Sequence, residues 1–448
     1  VTNALVGIKI YTKYEEYRFR MTGDIVKRCK KFIENSNVLN FEKCCGIQAN
    51  AFRLLRNCCV GSKENQDYIM LCEMPCTAIE ILDQILKHDQ DSDSVKQVLS
   101  SGIQLLGNVV VDHQKNKEIV WKLCFPNFFV KVMRYCYNEV KNCVCMVIYN
   151  CIREELRTEL YTTTEGLSLV NDIVKMCCTN ETNVEWGIFI IELLIKNGSF
   201  QQVYTGLKDN ALRLFLLESI EHRIKDNLTP ECCVSWISLD NAIFISQTFQ
   251  DSISKILNSE TSFNVQKSSS QVILVNSLLR LLCLLTAFEN EYQELRSRKC
   301  LLETTLVTLR ETSSEENRNF FSDLKRFSNP DDDNSTHPAF GFKRSLIQLI
   351  GNMCYLNTLN QDCVRHMDCV PLLLEHCNID DYNPYICQWA IFCLRNVLEN
   401  NLENQQVIRS LTKLGLASNT RLAEAGFVVE ETADGKLRVV GKPNKESS

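Results

Sequence analysis

Ile347-Gln348-Leu349-Ile350-Gly351-Asn352 and Ile391-Phe392-Cys393-Leu394-Arg395-Asn396 are two copies of one pattern, 44 residues apart from Ile347 to Ile391. In both, a second Asn follows eight residues after the first, at Asn360 and Asn404, and Gln361 or Gln405 comes next. The apolar run reads as the end of a buried helix. The second Asn has the form of an N-cap, whose side-chain oxygen takes a free backbone N–H of the next helix. Helix, short turn and capped helix at this period fall in the range of stacked helical repeats.

The same frame recurs upstream. Phe52 leads to Asn57 and Asn65, and Ile103 leads to Asn108 and Asn116, with the same offsets. Cys145 leads to Asn150 with Thr158 in the second slot, Ile188 starts a copy with neither Asn, and Leu278 starts one with Cys283 and Glu291 there. Between Ile188 and Leu278 there is room for two units, and the unmarked one is expected around Cys233 to Leu257. From Leu278 to Ile347 there is one repeat plus an insert of about 25 residues at the same period. Composition identifies the insert as Glu311 to Pro338, which carries seven acidic against three basic residues and the run Asn329-Pro330-Asp331-Asp332-Asp333. It reads as a flexible acidic loop.

Of 448 residues, 45% are hydrophobic and only 16 are Gly and 8 Pro, a balance that favours packed helices over a sandwich. The expected organisation is a capping region over 1–43 and repeats over 44–310. The insert over 311–338, a C-terminal repeat domain over 339–410 and a tail over 411–448 complete it. In the tail, Phe427-Val428-Val429, Asp434-Gly435 and Leu437-Arg438-Val439-Val440 suggest a small hairpin. The net charge of −6 leaves no basic footprint for a nucleic-acid backbone. The most apolar stretches, Trp186 to Ile195 and Leu278 to Phe288, are short and broken by Glu192 and Arg280, so no membrane insertion is expected. The 24 cysteines include the neighbours Cys44-Cys45, Cys58-Cys59, Cys177-Cys178 and Cys232-Cys233. They read as small buried hydrophobes in a reducing compartment, the cytosol.

Gln388-Trp389-Ala390-Ile391 through Leu394-Arg395-Asn396-Val397, then Asn404-Gln405-Gln406-Val407-Ile408, resembles the third helix of an armadillo repeat entering the first helix of the next. More narrowly, Phe340-Gly341-Phe342-Lys343-Arg344-Ser345 through Asn352-Met353-Cys354-Tyr355, with Cys377-Asn378-Ile379-Asp380-Asp381-Tyr382-Asn383-Pro384, resembles the C-terminal domain of the ataxin-10 family. Phe52-Arg53-Leu54-Leu55-Arg56-Asn57 and Gln104-Leu105-Leu106-Gly107-Asn108 extend the resemblance upstream. The fold it implies, with the repeat frame, is all-α: an armadillo/HEAT-like right-handed α-solenoid with a flexible acidic insert and a small hairpin tail. The resemblance implies a cytoplasmic, non-enzymatic protein without cofactors, with roles in neuronal survival, neurite growth, cytokinesis and cilia. Placement near the nucleus, at the midbody or at the ciliary base goes with those roles. The partners it implies are a heterotrimeric G-protein beta subunit, the O-GlcNAc transferase and further copies of the chain itself.

In armadillo folds Asn57, Asn108, Asn150, Asn352 and Asn396 would end the helix lining the concave face, where such side chains can hold an extended peptide's backbone. Each can equally satisfy a backbone group of its own or the adjoining repeat, because buried polar groups need partners. A tryptophan cage of the nuclear-import kind is not expected. The residues four before the ladder Asn are Arg53, Gln104, Gln348 and Phe392, and Trp389 lies seven before Asn396. Arg344 and Arg395 are expected near the exposed face as candidate partner contacts. Cys363, His366, Cys369 and His376 or Cys377 are ligand types, but they lack the tight paired spacing of structural zinc, and Cys369 takes the turn position where Gly is usual. Gly102 and Gly107 have phosphate-loop spacing, yet Asn108-Val109 follows where Lys and Ser or Thr are required. No Gly-x-Ser-x-Gly or His-Glu-x-x-His pattern is present. The reading is a protein-binding scaffold or adaptor. A cargo or transport adaptor, and an enzyme with a site scattered over several repeats, are the alternatives.

Overall fold

Apolar residues at three- and four-residue spacing, such as Leu99, Ile103, Leu106 and Val110, are buried along one face of each helix, and the helices stack on those faces. The structure is a computed structural model and describes residues 23–35, 41–88, 92–152, 154–179, 184–226, 237–257, 265–288, 291–313, 339–380, 382–411, 427–431 and 437–441. Helices α1 (Gly23–Asn35) and α2 (Phe41–Cys59) open the stack. Three units of three helices follow: α3 (Lys63–Leu71), α4 (Met74–Ile85) and α5 (Asp93–Val109); α6 (Gln114–Cys124), α7 (Asn127–Tyr135) and α8 (Asn138–Cys151); α9 (Glu154–Thr162), α10 (Thr164–Cys177) and α11 (Glu185–Lys196). The middle holds α12 (Phe200–Gly206), α13 (Asn210–Asp226), α14 (Leu239–Leu257) and α15 (Val265–Thr286). Then come α16 (Gln293–Arg296), α17 (Lys299–Ser313), α18 (Phe342–Cys354), α19 (Thr358–His366), α20 (Cys369–Glu375), α21 (Ile386–Leu398) and α22 (Leu402–Ser410).

The third helices form one layer. Helix α2 packs on α5, α5 on α8 and α8 on α11, and further along α13 packs on α15, α15 on α18 and α18 on α21. Helices α7, α10, α12, α14, α17 and α20 touch in succession as a second layer. The protein is an all-α solenoid of armadillo type, with a two-stranded hairpin near its C-terminal end. In that hairpin β1 (Phe427–Glu431) pairs antiparallel with β2 (Leu437–Gly441), Val429 opposite Val439, as the two apolar stretches suggest. The Asp434-Gly435 turn and the insert from residue 314 onward lie outside the described residues. Among the described residues no helix is long and apolar enough to cross a membrane.

The unmarked unit and the insert lie differently from expectation. The unmarked unit's layer helix is α13, upstream of Cys233 to Leu257; α14, which fills that stretch, packs against α15 and α17 and belongs to the second layer. The insert also begins later than Glu311, because Glu311, Thr312 and Ser313 complete α17, with Thr312 buried. The 22 described cysteines form no disulfide with one another, and most are buried. Burial pushes the Cys136, Cys177 and Cys283 thiols up to about 12, so they pack as small apolar groups.

The turns repeat as strictly as the helices. Four residues after a layer Asn the backbone turns left-handed, at Gly61 (φ 70°), Asp112 (52°), Leu356 (51°) and Asn400 (55°). Asp368, not Cys369, holds the equivalent conformation before α20, as Glu73 does before α4. Leu356 is the costly choice, since an L-residue with a bulky Cβ loses about 1–2 kcal/mol there. Its side chain is 62% exposed and contributes little packing. Leu356→Gly is therefore expected to raise stability in urea by about 0.5–1 kcal/mol after the entropy cost of glycine; a loss of stability would contradict the strain assignment.

Candidate functional site

The marked asparagines form a ladder. Nδ2 of Asn108 donates to the Arg56 carbonyl at 3.2 Å, Asn150 to the Gly107 carbonyl at 3.3 Å, and Asn396 to the Gly351 carbonyl at 3.0 Å. Each acceptor is the residue just before the preceding unit's layer Asn. Asn352 reaches across the insert to the Cys283 carbonyl at 3.0 Å and to Thr286 Oγ1 at 3.1 Å. Asn57, in the first layer helix, accepts through Oδ1 from Arg56 instead. The acceptor is twice a glycine. A Cβ on Gly351 would stand 3.2 Å from the Cys393 Cα, so Gly351 lets α21 approach closely enough for the Asn396 amide to reach.

The second asparagines are not N-caps. The caps stand three residues earlier: Ser62, Asn357 and Asn401 accept from the backbone N–H of Asn65, Asn360 and Asn404. From the third helical position the Asn side chain points back and donates to the end of the preceding helix. Asn65 reaches the Cys58 carbonyl at 2.8 Å, Asn116 that of Val109 at 2.9 Å, Asn360 that of Met353 at 2.7 Å and Asn404 that of Val397 at 2.8 Å. Thr158, within α9, has no cap geometry either. The adjoining glutamines stitch forward. Gln66 Nε2 donates to the Asn108 and Val111 carbonyls, and Gln361 Nε2 to those of Asn396 and Glu399. The paired Asn-Gln dipeptides carry the signal of this role, which the N-cap expectation did not include.

Arg395 is exposed as expected. Arg344 is not: it is half-buried at the first turn of α18, its Nε is buried, and its Nη2 would lie 3.1 Å from a Cβ on Gly341. Cys363, Cys369, His376 and Cys377 do not converge, and among the described residues no group of three His, Cys, Asp or Glu could hold a metal. Burial, then Lys343, push the His376 imidazole down to about 4, and it pairs with Ser313 Oγ at 2.9 Å. Between α19 and α22, Asp362 accepts from Asn401 and from Arg365, which also reaches Asn404 and Glu403. Those hydrogen bonds, Asn401 first, hold the Asp362 carboxyl below its ordinary range.

What the layer leaves outward is aromatic and cationic. Trp186 and Phe189 on α11 meet edge to face at 5.7 Å, and Trp389 and Phe392 on α21 repeat that geometry at 5.8 Å. The Trp-x-x-Phe spacing is the same in both, seven and four residues before the slot of the layer Asn, a signal legible only once the frame is fixed. Tyr149 on α8 completes the first cluster. On α2, Arg53 donates to Gln97 and Arg56 to Gln104; burial, and then the neighbouring Arg53 charge, lower the Arg56 pKa.

Stacked helical units joined through backbone-directed amides define an α-solenoid repeat protein. A family model described as the spinocerebellar ataxia type 10 protein domain matches residues 342–440. Ataxin-10 of Xenopus tropicalis is 31% identical over 402 residues, covering 88% of this chain and 80% of that protein. Ataxin-10 of Homo sapiens is 28% identical over 426 residues, covering 93% and 88%. The chain belongs to the ataxin-10 family. A chain from the solved structure titled "A conserved phosphorylation switch controls the interaction between cadherin and beta-catenin in vitro and in vivo" aligns with 93% of this chain and 69% of its own length. That likeness has 12% sequence identity and a TM-score of 0.38.

Asn396 is 2% exposed and its amide is committed to Gly351. Asn396→Ala is expected to cost about 1–3 kcal/mol in urea unfolding, the penalty of an orphaned buried acceptor and a lost bond. Arg395→Glu, one residue away on the exposed side, is expected to stay within about 0.5 kcal/mol. Equal losses would contradict the assignment of Asn396 to the ladder.

Proposed function

We propose that this chain is a non-enzymatic scaffold or adaptor whose layer face binds other proteins. The observation that carries the reading is the division of labour on the layer helices. The Asn amides of α5, α8 and α21 are spent on neighbouring carbonyls, while Tyr149 on α8, Phe189 on α11, and Ile391 and Phe392 on α21 stand exposed. Exposed aromatics on a rigid support are what protein interfaces use as anchors. Family membership supports the finer reading: roles in neuronal survival, neurite growth, cytokinesis and cilia, placement in the cytoplasm, near the nucleus, at the midbody or at the ciliary base. It also supports a G-protein beta subunit, the O-GlcNAc transferase and self-association as partners. Asn57, Asn108, Asn150, Asn352 and Asn396 support that surface from within, and Arg395 lies on it.

The test is capture from a cytosolic extract with the full chain as bait, followed by gel filtration with and without added nucleotide. Stable complexes, indifferent to nucleotide, are the expected result. Nucleotide-triggered release would favour a transport adaptor, and turnover of a small molecule by the purified chain would overturn the non-enzymatic reading.

A further inference from the structure

Arg53 and Arg56 stand one turn apart on α2, and among the described residues neither has a carboxylate partner. Neutral amides hold them instead: Arg53 Nη2 donates to Gln97 Oε1 at 3.2 Å, and Arg56 donates to Gln104 Oε1 and, at 3.1 Å, to Asn57 Oδ1. Two half-buried guanidiniums this close repel one another, and a counter-charge from outside would relieve that repulsion. Two arginines further along the layer do have carboxylate partners, Arg223 with Glu192 and Arg280 with Glu221.

The same face continues toward the aromatic cluster. Gln104 Nε2 donates to Cys143 Sγ of α8 at 3.5 Å, and Asn142 beside it accepts from the Trp186 backbone N–H at 3.0 Å. There the rings of Tyr149, Trp186 and Phe189 lie with centroids 5.5, 6.0 and 5.7 Å apart, Tyr149 and Phe189 being 38% and 41% exposed. A cation pair without counter-ions and an exposed apolar cluster thus share one face, two to three helices apart.

We propose that this face binds an extended acidic segment of a partner protein, its carboxylates on Arg53 and Arg56 and an apolar side chain on the Tyr149, Trp186 and Phe189 cluster. Packed helices stand about 8–10 Å apart and an extended chain rises about 3.3 Å per residue, so the acidic and apolar positions are about seven residues apart. The assignment rests on the scaffold reading and names the chemistry of one partner surface.

The experiment is fluorescence anisotropy of the full chain with synthetic fluorescein-labelled peptides. Each carries an Asp-Glu-Asp block and a Leu-Trp block joined by Gly-Ser, at the spacing above or a much shorter one, in both orders, with Lys-substituted counterparts. At least one order of the longer acidic peptide is expected to bind, and the short ones to bind at least about tenfold more weakly. Phe189→Ala is expected to weaken the acidic peptide about tenfold. The double change Arg53→Glu with Arg56→Glu is expected to lose the acidic peptide and to gain the Lys-substituted one, a swap that misfolding cannot produce. If that variant is misfolded by circular dichroism, Arg53→Gln with Arg56→Gln serves, and unchanged acidic-peptide affinity there overturns the proposal. Binding that ignores spacing or charge overturns it, as does no binding by any peptide. Stable complexes from the extract alongside peptide failure would sink this site and leave the scaffold reading standing; no complexes at all would sink the scaffold reading.

Discussion

An α-helix ends with four backbone carbonyls that have no partner in the helix, and stacking helices end to side buries them. In α21 each is taken by a side-chain amide: the carbonyls of Asn396 and Glu399 by Gln361, that of Val397 by Asn404 and that of Leu398 by Gln405. Helix α18 is closed the same way, Met353 by Asn360 and Cys354 by Gln361, with Arg296 covering Asn352 and Tyr355. The repeat period is the interval at which this need recurs. Asn and Gln meet it because a carboxamide donates two N–H bonds without bringing a charge into the interior.

The architecture was legible because that need fixes residue types at fixed offsets. The direction of the bonds was not. Asn accepts at a cap and donates from the third helical position, so Asn360 and Asn404 fit either role, and the true caps, Asn357 and Asn401, are of the same type. The middle of the chain was illegible for a different reason. There the layer helices are tied by ion pairs, Arg223 to Glu192 and Arg280 to Glu221, and α11, α13 and α15 all lack the layer Asn. The candidate surface was legible only in part. Arg395 was placed correctly, Arg344 was not, and the Tyr149, Trp186 and Phe189 cluster depends on two helices meeting, which no single stretch of sequence displays.

The C-terminal helices continue the stack. Asn352 bonds to Cys283, Arg296 to Tyr355, Asn276 to the Phe340 carbonyl and Asn360 to the Arg296 carbonyl, all across the insert in sequence. Helix α21 therefore rests, through α18, on a support that includes α15 and α16. A truncation between α17 and α18 would strip carbonyl partners from both sides of the cut.

Everything here turns on Asn108, Asn150, Asn352 and Asn396 acting as donors to the preceding unit. The most direct measurement is equilibrium urea unfolding of Asn108→Asp, Asn352→Asp and Asn396→Asp, each beside its Ala counterpart. Asp keeps the shape but sets a carboxylate against a carbonyl, so each Asp variant is predicted to be less stable than its Ala partner, in which the clash is absent. Asp variants as stable as the parent chain would contradict the account.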